Sequence, residues 1–144
     1  MILGLAMPIS SPYSKLLIIP RSAIDENGHV NNVAYVQWMQ EIAIEHYASI
    51  GGIEAQGKDA TWFVREHKIE YLLPAFAGEE IEVKTWVENM RRVRSLRKYE
   101  FVRRSDGKVL VKGETEWVFV ETKTGRPLPI PEEVSKVFSI REEK

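Results

Sequence analysis

The sequence contains no cysteine. That absence excludes disulfides, thiolate-ligated metals and a cysteine nucleophile. Histidine is scarce too. His29, His46 and His67 are the only three, and their spacing matches no ligand pattern, so a catalytic metal is not expected. Neither sign of charge dominates, since 20 Lys and Arg stand against 21 Asp and Glu for a net charge of −1. A chain so close to neutral exerts no general pull on nucleic acid or an anionic membrane, and any anion site must come from local clustering. No apolar run approaches the length of a membrane span. Met1 to Ala6 is apolar, but no basic segment precedes it and Pro8 follows. It reads as a loose N-terminus rather than a signal peptide, which makes the cytoplasm the expected location. The serines sit in no Gly-x-Ser-x-Gly elbow, so a serine hydrolase is not expected either.

What is present is a globular pattern. The chain of 144 residues, 44% hydrophobic and 28% charged, is long enough for one domain with a real core. We read it as a single domain over 1–144, with 1–14 as an irregular lead. Lys15 to Arg21 reads as a first strand, buried on both faces or lying at a dimer edge. A long helix follows from near Asn32, with Asn32 as its N-cap. Its polar residues Gln37, Gln40, Glu41 and Glu45 form a narrow stripe. The rest of the circumference is largely apolar, which predicts a helix wrapped by other elements. Gly51-Gly52 stops it. Ile53 to Thr61 reads as a loop. Strands are expected over Trp62–Leu73, around Ile81–Glu88, over Arg94–Arg104 and over Val109–Glu121, with a hairpin turn at Ser105–Lys108. Gly113 marks a bulge or a close backbone approach, and a short helix is expected over 131–138. One strand, one helix and then four strands argue for an α+β fold with a five-stranded antiparallel sheet.

The stretch from Asp25 to Asn32 concentrates the chemistry. Eight residues carry carboxylates, an imidazole, three amides and a glycine, and they lead straight onto the helix N-terminus. Such an end presents unpaired N–H groups and a partial positive charge, which suits a carbonyl or an anion.

Asp25-x-x-Gly28-His29-Val30-Asn31-Asn32-x-x-Tyr35 resembles the active-site loop of hotdog-fold thioesterases of the 4-hydroxybenzoyl-CoA thioesterase type. The spelling Asp25-x-Asn27-x-His29-x-Asn31-Asn32 is similar to the acyl-ACP thioesterases of the same superfamily. Ile69-Glu70-Tyr71 with Pro74, Gly78 to Ile81, Gly113 to Trp117 and Pro127 to Pro131 follow the family pattern in the right order. The resemblance implies a five-stranded sheet wrapped around a long central helix, assembled as homodimers or homotetramers with active sites at the dimer interface. It also implies hydrolysis of an acyl-CoA, with acyl-ACP as the alternative substrate and a non-catalytic acyl-thioester binding protein as a further alternative. Coenzyme A would enter only as part of the substrate, and no other cofactor is implied. By the same resemblance Asp25 is the general base or nucleophile, the Asn32 N–H polarises the thioester carbonyl, and Asn27 and His29 orient water or hold the loop. One departure stands out. The acyl-ACP enzymes carry a glutamate a few residues beyond the Glu70-Tyr71 position, where this chain has Pro74-Ala75. That favours the plainer aspartate mechanism.

Each of these residues has a simpler reading. Asp25 followed by Gly28 is also an ordinary turn, His29 could pack and bond a carbonyl, and His46 and His67 read as satisfied core or interface residues. Arg91, Arg92, Arg94, Arg97, Lys98, Arg103 and Arg104 form the main basic cluster. It is either a solvated hairpin face or a cradle for coenzyme A phosphates or an acyl carrier protein, with Arg91, Arg92 and Arg94 as the candidates. Nucleic acid fits poorly, because no motif accompanies the cluster. Tyr35, Trp62, Phe63, Phe76 and Trp86 could line an acyl pocket or fill the core.

Overall fold

The computed structural model describes residues 10–138. In chain order its elements are β1 (Tyr13–Ile18), a 3-10 turn (Arg21–Ala23), α1 (Asn32–Ser49), α2 (Gly52–Gln56), β2 (Ala60–Tyr71), β3 (Glu80–Arg91), β4 (Arg94–Arg103), β5 (Val109–Glu121) and α3 (Glu132–Val137). The five strands make one sheet in the order β1-β3-β4-β5-β2, with every neighbouring pair antiparallel. The helix α1 packs on one face of it. This is the α+β hotdog arrangement.

Alternation decides which face meets the helix. Ile81, Val83, Thr85 and Val87 of β3 and Ser95, Arg97, Tyr99 and Phe101 of β4 are buried, every second residue in turn. The residues between them, Glu82, Lys84, Trp86, Lys98 and Glu100, take the other face, as a period of two requires. From above, α1 buries Tyr35, Met39, Ile42, Ala43 and His46, a set recurring every three or four residues. Gly113 is where helix and sheet come closest. A Cβ built there would lie 2.9 Å from Met39 Sδ, so the glycine serves close approach. The ladder irregularities lie elsewhere, between Val64 and Glu66, Val87 and Asn89, and Phe101 and Val102.

Four expectations need correction. The first strand begins earlier, at Tyr13, and ends at Ile18 because Pro20 has no N–H for the ladder. That strand takes up the end of the expected irregular lead, the rest of which lies mostly outside the described residues. It is not buried on both faces either. Leu16 and Ile18 are 48% and 58% exposed, since β1 is an edge strand whose second face no described residue covers. Ile53 to Thr61 is not all loop, because Gly52–Gln56 forms α2. Finally, the chain's own sheet covers only one side of α1, leaving Val33 and Ile44 on the outward side 72% and 59% exposed.

Candidate active site

A small closed loop builds the Asp25 region. Ile24 and Val30 form an antiparallel bridge. Inside it, the Asp25 N–H donates to the His29 carbonyl at 3.0 Å and the Gly28 N–H donates to the Asp25 carbonyl at 3.0 Å. Gly28 sits at φ +85, a left-handed conformation that glycine adopts without cost. The Asp25 carboxylate accepts the Asn27 N–H through Oδ1 at 2.9 Å. The turn reading of Asp25 is therefore realised, and it uses one oxygen. No described residue donates to Oδ2, and the side chain is half-buried.

Two backbone bonds hold the end of this loop where α1 starts, one to the β2–β3 connection and one to the 3-10 turn before Asp25. The Val30 N–H donates to the Ala75 carbonyl at 2.9 Å, and the Asn31 N–H to the Ala23 carbonyl at 2.8 Å. The N-cap is Asn31 rather than Asn32. Its Oδ1 accepts the Val33 N–H at 2.8 Å, and its extended backbone is what a cap needs. Asn32 becomes the first helical residue, with its N–H at the open, positive end of the helix. The Tyr71 hydroxyl donates to the Asn32 carbonyl at 3.4 Å, tying β2 to the same spot. Val33, Tyr71, Leu72, Leu73 and Phe76 leave exposed apolar surface at this end of the sheet.

The structure distributes the other candidates unevenly. Asn27 and His29 share the loop with Asp25. The Asn27 side chain is exposed, and His29 Nδ1 reaches only the Val30 carbonyl, at 3.4 Å. Tyr35 lies in the core, one turn into α1, in an edge-on contact with Phe101 whose ring centroids are 5.0 Å apart. Its hydroxyl is buried without a hydrogen-bond partner among the described residues. Burial, then the charge of Glu79 and the neighbouring Tyr71, push its pKa up to about 12, so it stays protonated.

Arg91, Arg92 and Arg94 do not join this site within one chain. The Asp25 loop adjoins the Glu80 end of β3, where the Ile19 N–H bonds the Glu79 carbonyl. The three arginines sit at the other end of that 12-residue strand, roughly 36 Å away at the rise of a β-strand. Arg92 and Val93 form the tight β3–β4 turn, Arg92 at φ 43, and Arg94 pairs with Glu116 at 3.4 Å. Trp62 is also at that far end, packed against Phe119 and Tyr47. Trp86 points to the opposite sheet face and donates to Glu88.

A second polar centre was missed. Arg97, read from sequence as part of a solvated cluster, is only 4% exposed. Its Nη1 bonds His46 Nδ1 at 2.9 Å and Thr85 Oγ1 at 3.0 Å. Burial first, and then Arg97, hold the His46 pKa down at about 4, so at neutral pH the imidazole is an uncharged acceptor. Alternation was the available signal. If Tyr99 and Phe101 face the core, Arg97 has the same parity. Both His46 and His67 are satisfied as expected, His46 in the core on Arg97 and the half-buried His67 with Nδ1 2.8 Å from Thr115 Oγ1.

Among the described residues no group of His, Asp or Glu side chains is arranged to hold a metal ion, and no helix is long and apolar enough to cross a membrane. The sequence model of the thioesterase-like superfamily matches residues 19–138. No curated protein matches the chain. Among solved structures, the chain is similar to a 1,4-dihydroxy-2-naphthoyl-CoA thioesterase from Synechocystis, at 17% identity over 89% of this chain and 96% of that one, with a TM-score of 0.78. It is similar to the DHNA-CoA thioesterase of Staphylococcus aureus at 25% identity, over 88% and 90% of the two chains, TM-score 0.76. The 12:0-ACP thioesterase of Umbellularia californica aligns at 20% identity over 90% of this chain and 51% of that one, TM-score 0.80.

Proposed function

Because the chain belongs to the thioesterase-like superfamily, we propose that it hydrolyses an acyl-CoA thioester, with Asp25 as the reacting carboxylate. The observation that carries this reading is the joining of the Asp25 loop to the open N-terminus of α1 through Val30 and Asn31. A carboxylate with one uncommitted oxygen and a helix-end N–H are the two groups that thioester hydrolysis asks for.

The chemistry follows from those two groups. Water attacks the carbonyl carbon while Asp25 takes its proton, or Asp25 attacks first and water opens the resulting anhydride. The carbonyl π electrons move to oxygen, where the Asn32 N–H and the helix dipole stabilise them. Collapse breaks the C–S bond and releases coenzyme A as a thiolate, which takes a proton, together with the carboxylic acid. Asn27 and His29 orient the water or hold the loop. No cofactor enters the reaction, because coenzyme A leaves as product.

The apolar surface of Val33, Tyr71, Leu72 and Leu73 beside the helix start suits a homodimer or homotetramer. Arg91, Arg92, Arg94 and Trp62 can reach coenzyme A or an acyl group at an Asp25 loop only across such an interface, because they lie at the far end of their own sheet. Acyl-ACP is the second substrate reading. The Asp25-x-Asn27-x-His29 spelling favours it, and Ala75 weighs against it. Where the acyl-ACP enzymes have a glutamate, this chain has a buried alanine whose carbonyl anchors Val30.

The test is thiol release from short, long and aromatic acyl-CoAs by the wild type and by Asp25→Asn. We expect release that disappears in the variant. Unchanged turnover in Asp25→Asn would remove Asp25 from the mechanism. Release from acyl-ACP alone would select the second substrate, and tight acyl-CoA binding without release would make the protein a carrier.

A further inference from the structure

Arg97 lines a cavity of about 280 Å³ between the C-terminal half of α1 and the sheet. Its walls are largely apolar, formed by Ala43, Ile44, Tyr47, Trp62, Trp117 and Phe138 among others. The cavity is open to solvent, and two of its apolar lining residues, Ile44 and Ile53, are themselves exposed. It is distinct from the Asp25 region, which adjoins the other end of α1. That helix has 18 residues and is therefore roughly 27 Å long.

The Arg97 cation lies over the Phe138 ring, 5.8 Å from its centroid, and meets no described acid. Both hydrogens of Nη1 are used, on His46 and Thr85, and both partners are neutral. Nε and Nη2 make no hydrogen bond with any described residue, and no described carboxylate forms an ion pair with Arg97. Burial lowers the guanidinium pKa to about 10, still far above neutrality, so the charge remains. A buried cation served only by neutral acceptors is expensive unless an anion completes it. The donors left over, Nε–H and Nη2–H, form the edge of the guanidinium that accepts a carboxylate in a two-pronged pair. The apolar walls around it suit a hydrocarbon or aromatic body, and the volume is near the lower end of small-molecule pockets.

We propose that this cavity binds a small apolar monocarboxylate, with its carboxylate on Arg97 and its body among Tyr47, Trp62, Trp117 and Phe138. Such a ligand is of the same chemical class as the acid that a thioester hydrolase releases. The site does not depend on that activity, and binding is measured without turnover.

The experiment is calorimetric titration of the full chain with octanoate, octan-1-ol and octylamine, with the fluorescence of Trp62 and Trp117 as a second signal. Octanoate is expected to bind roughly tenfold or more tightly than the alcohol, as a charge-assisted pair adds that much, and octylamine is expected not to bind. In Arg97→Met the preference reverses, with alcohol binding kept and octanoate binding lost. Equal affinities for acid and alcohol in the wild type would overturn the proposal, as would octanoate affinity retained in Arg97→Met. Should that variant not fold, carboxyl-labelled octanoate followed by carbon NMR on the wild type decides the question. A bound carboxyl whose titration moves to lower pH supports the ion pair, and an unshifted one overturns it. Octanoate binding that emerges only when Glu142→Gln and Glu143→Gln are combined would also overturn it, because the chain's own acid would then be the counter-ion.

Discussion

At its N-terminus α1 meets a polar loop that stays open to water. Asp25 is half-buried, and Asn27, Asn31 and Asn32 are exposed. At its C-terminal half the same helix covers a buried cation, with His46 and Arg97 each only 4% exposed and apolar walls around them. The first end leaves groups uncommitted on a loop that backbone bonds hold in place, which is what the proposed reaction asks for. The second holds a full charge in a buried place with neutral partners, so its energetics depend on what else enters. Polarity at an element's end is inexpensive because water satisfies the remaining donors. Polarity at its buried face needs specific partners.

The contrast can be tested from the largest effect downward. Asp25→Asn should lower kcat by about two to four orders of magnitude, the range for a lost general base, while thermal unfolding stays close to wild type. A comparable loss of stability would mean that Asp25 is mainly a turn residue.

The buried end should instead reveal itself in pH. The folded His46 pKa is depressed from 6.5 to about 4, so the neutral imidazole belongs to the folded state and the unfolded chain binds the extra proton. The stability is fully present above 6.5 and is lost as pH falls toward 4, by on the order of 3 kcal/mol at most. Urea unfolding at pH 7 and pH 4.5 measures the drop, and His46→Gln should shrink it. An unchanged slope in that variant would assign the acid sensitivity to other groups.

Packing between the two ends sets the next effect. Gly113→Val forces Met39 out of place and should cost about 1–3 kcal/mol by overpacking, read as a lower denaturant midpoint. Met39→Ala in the same chain should recover part of it. At the open end, Asn31→Ala removes the cap and should cost about 1 kcal/mol. It should also lower kcat more than it raises KM, because Asn31 holds the start of the helix. Smallest of all, Arg91→Ala with Arg92→Ala should leave stability and kcat near wild type and raise KM for CoA esters several-fold, the pattern of lost uniform binding. An unchanged KM would return both arginines to a solvated turn.

Much of this was legible locally. The period-two stretch in β3, the Gly51-Gly52 stop and the Asp25 loop each carry their signal within a few residues, because strand alternation, helix termination and turn chemistry act over that range. The sequence by itself therefore determined the long helix, the four later strands and a candidate carboxylate beside a helix start. Tertiary structure alone decided the remainder. Whether Asn31 or Asn32 caps α1 depended on the Ala23 and Ala75 carbonyls that hold the chain there. The separation of Arg91, Arg92 and Arg94 from Asp25 came from strand direction, since neighbours in a basic cluster along the chain end up where their hairpin points. The burial of Arg97 against His46, 51 residues away in sequence, followed from which helix turn crosses which strand. Contacts of that kind form between surfaces brought together by folding, and no short-range pattern encodes them.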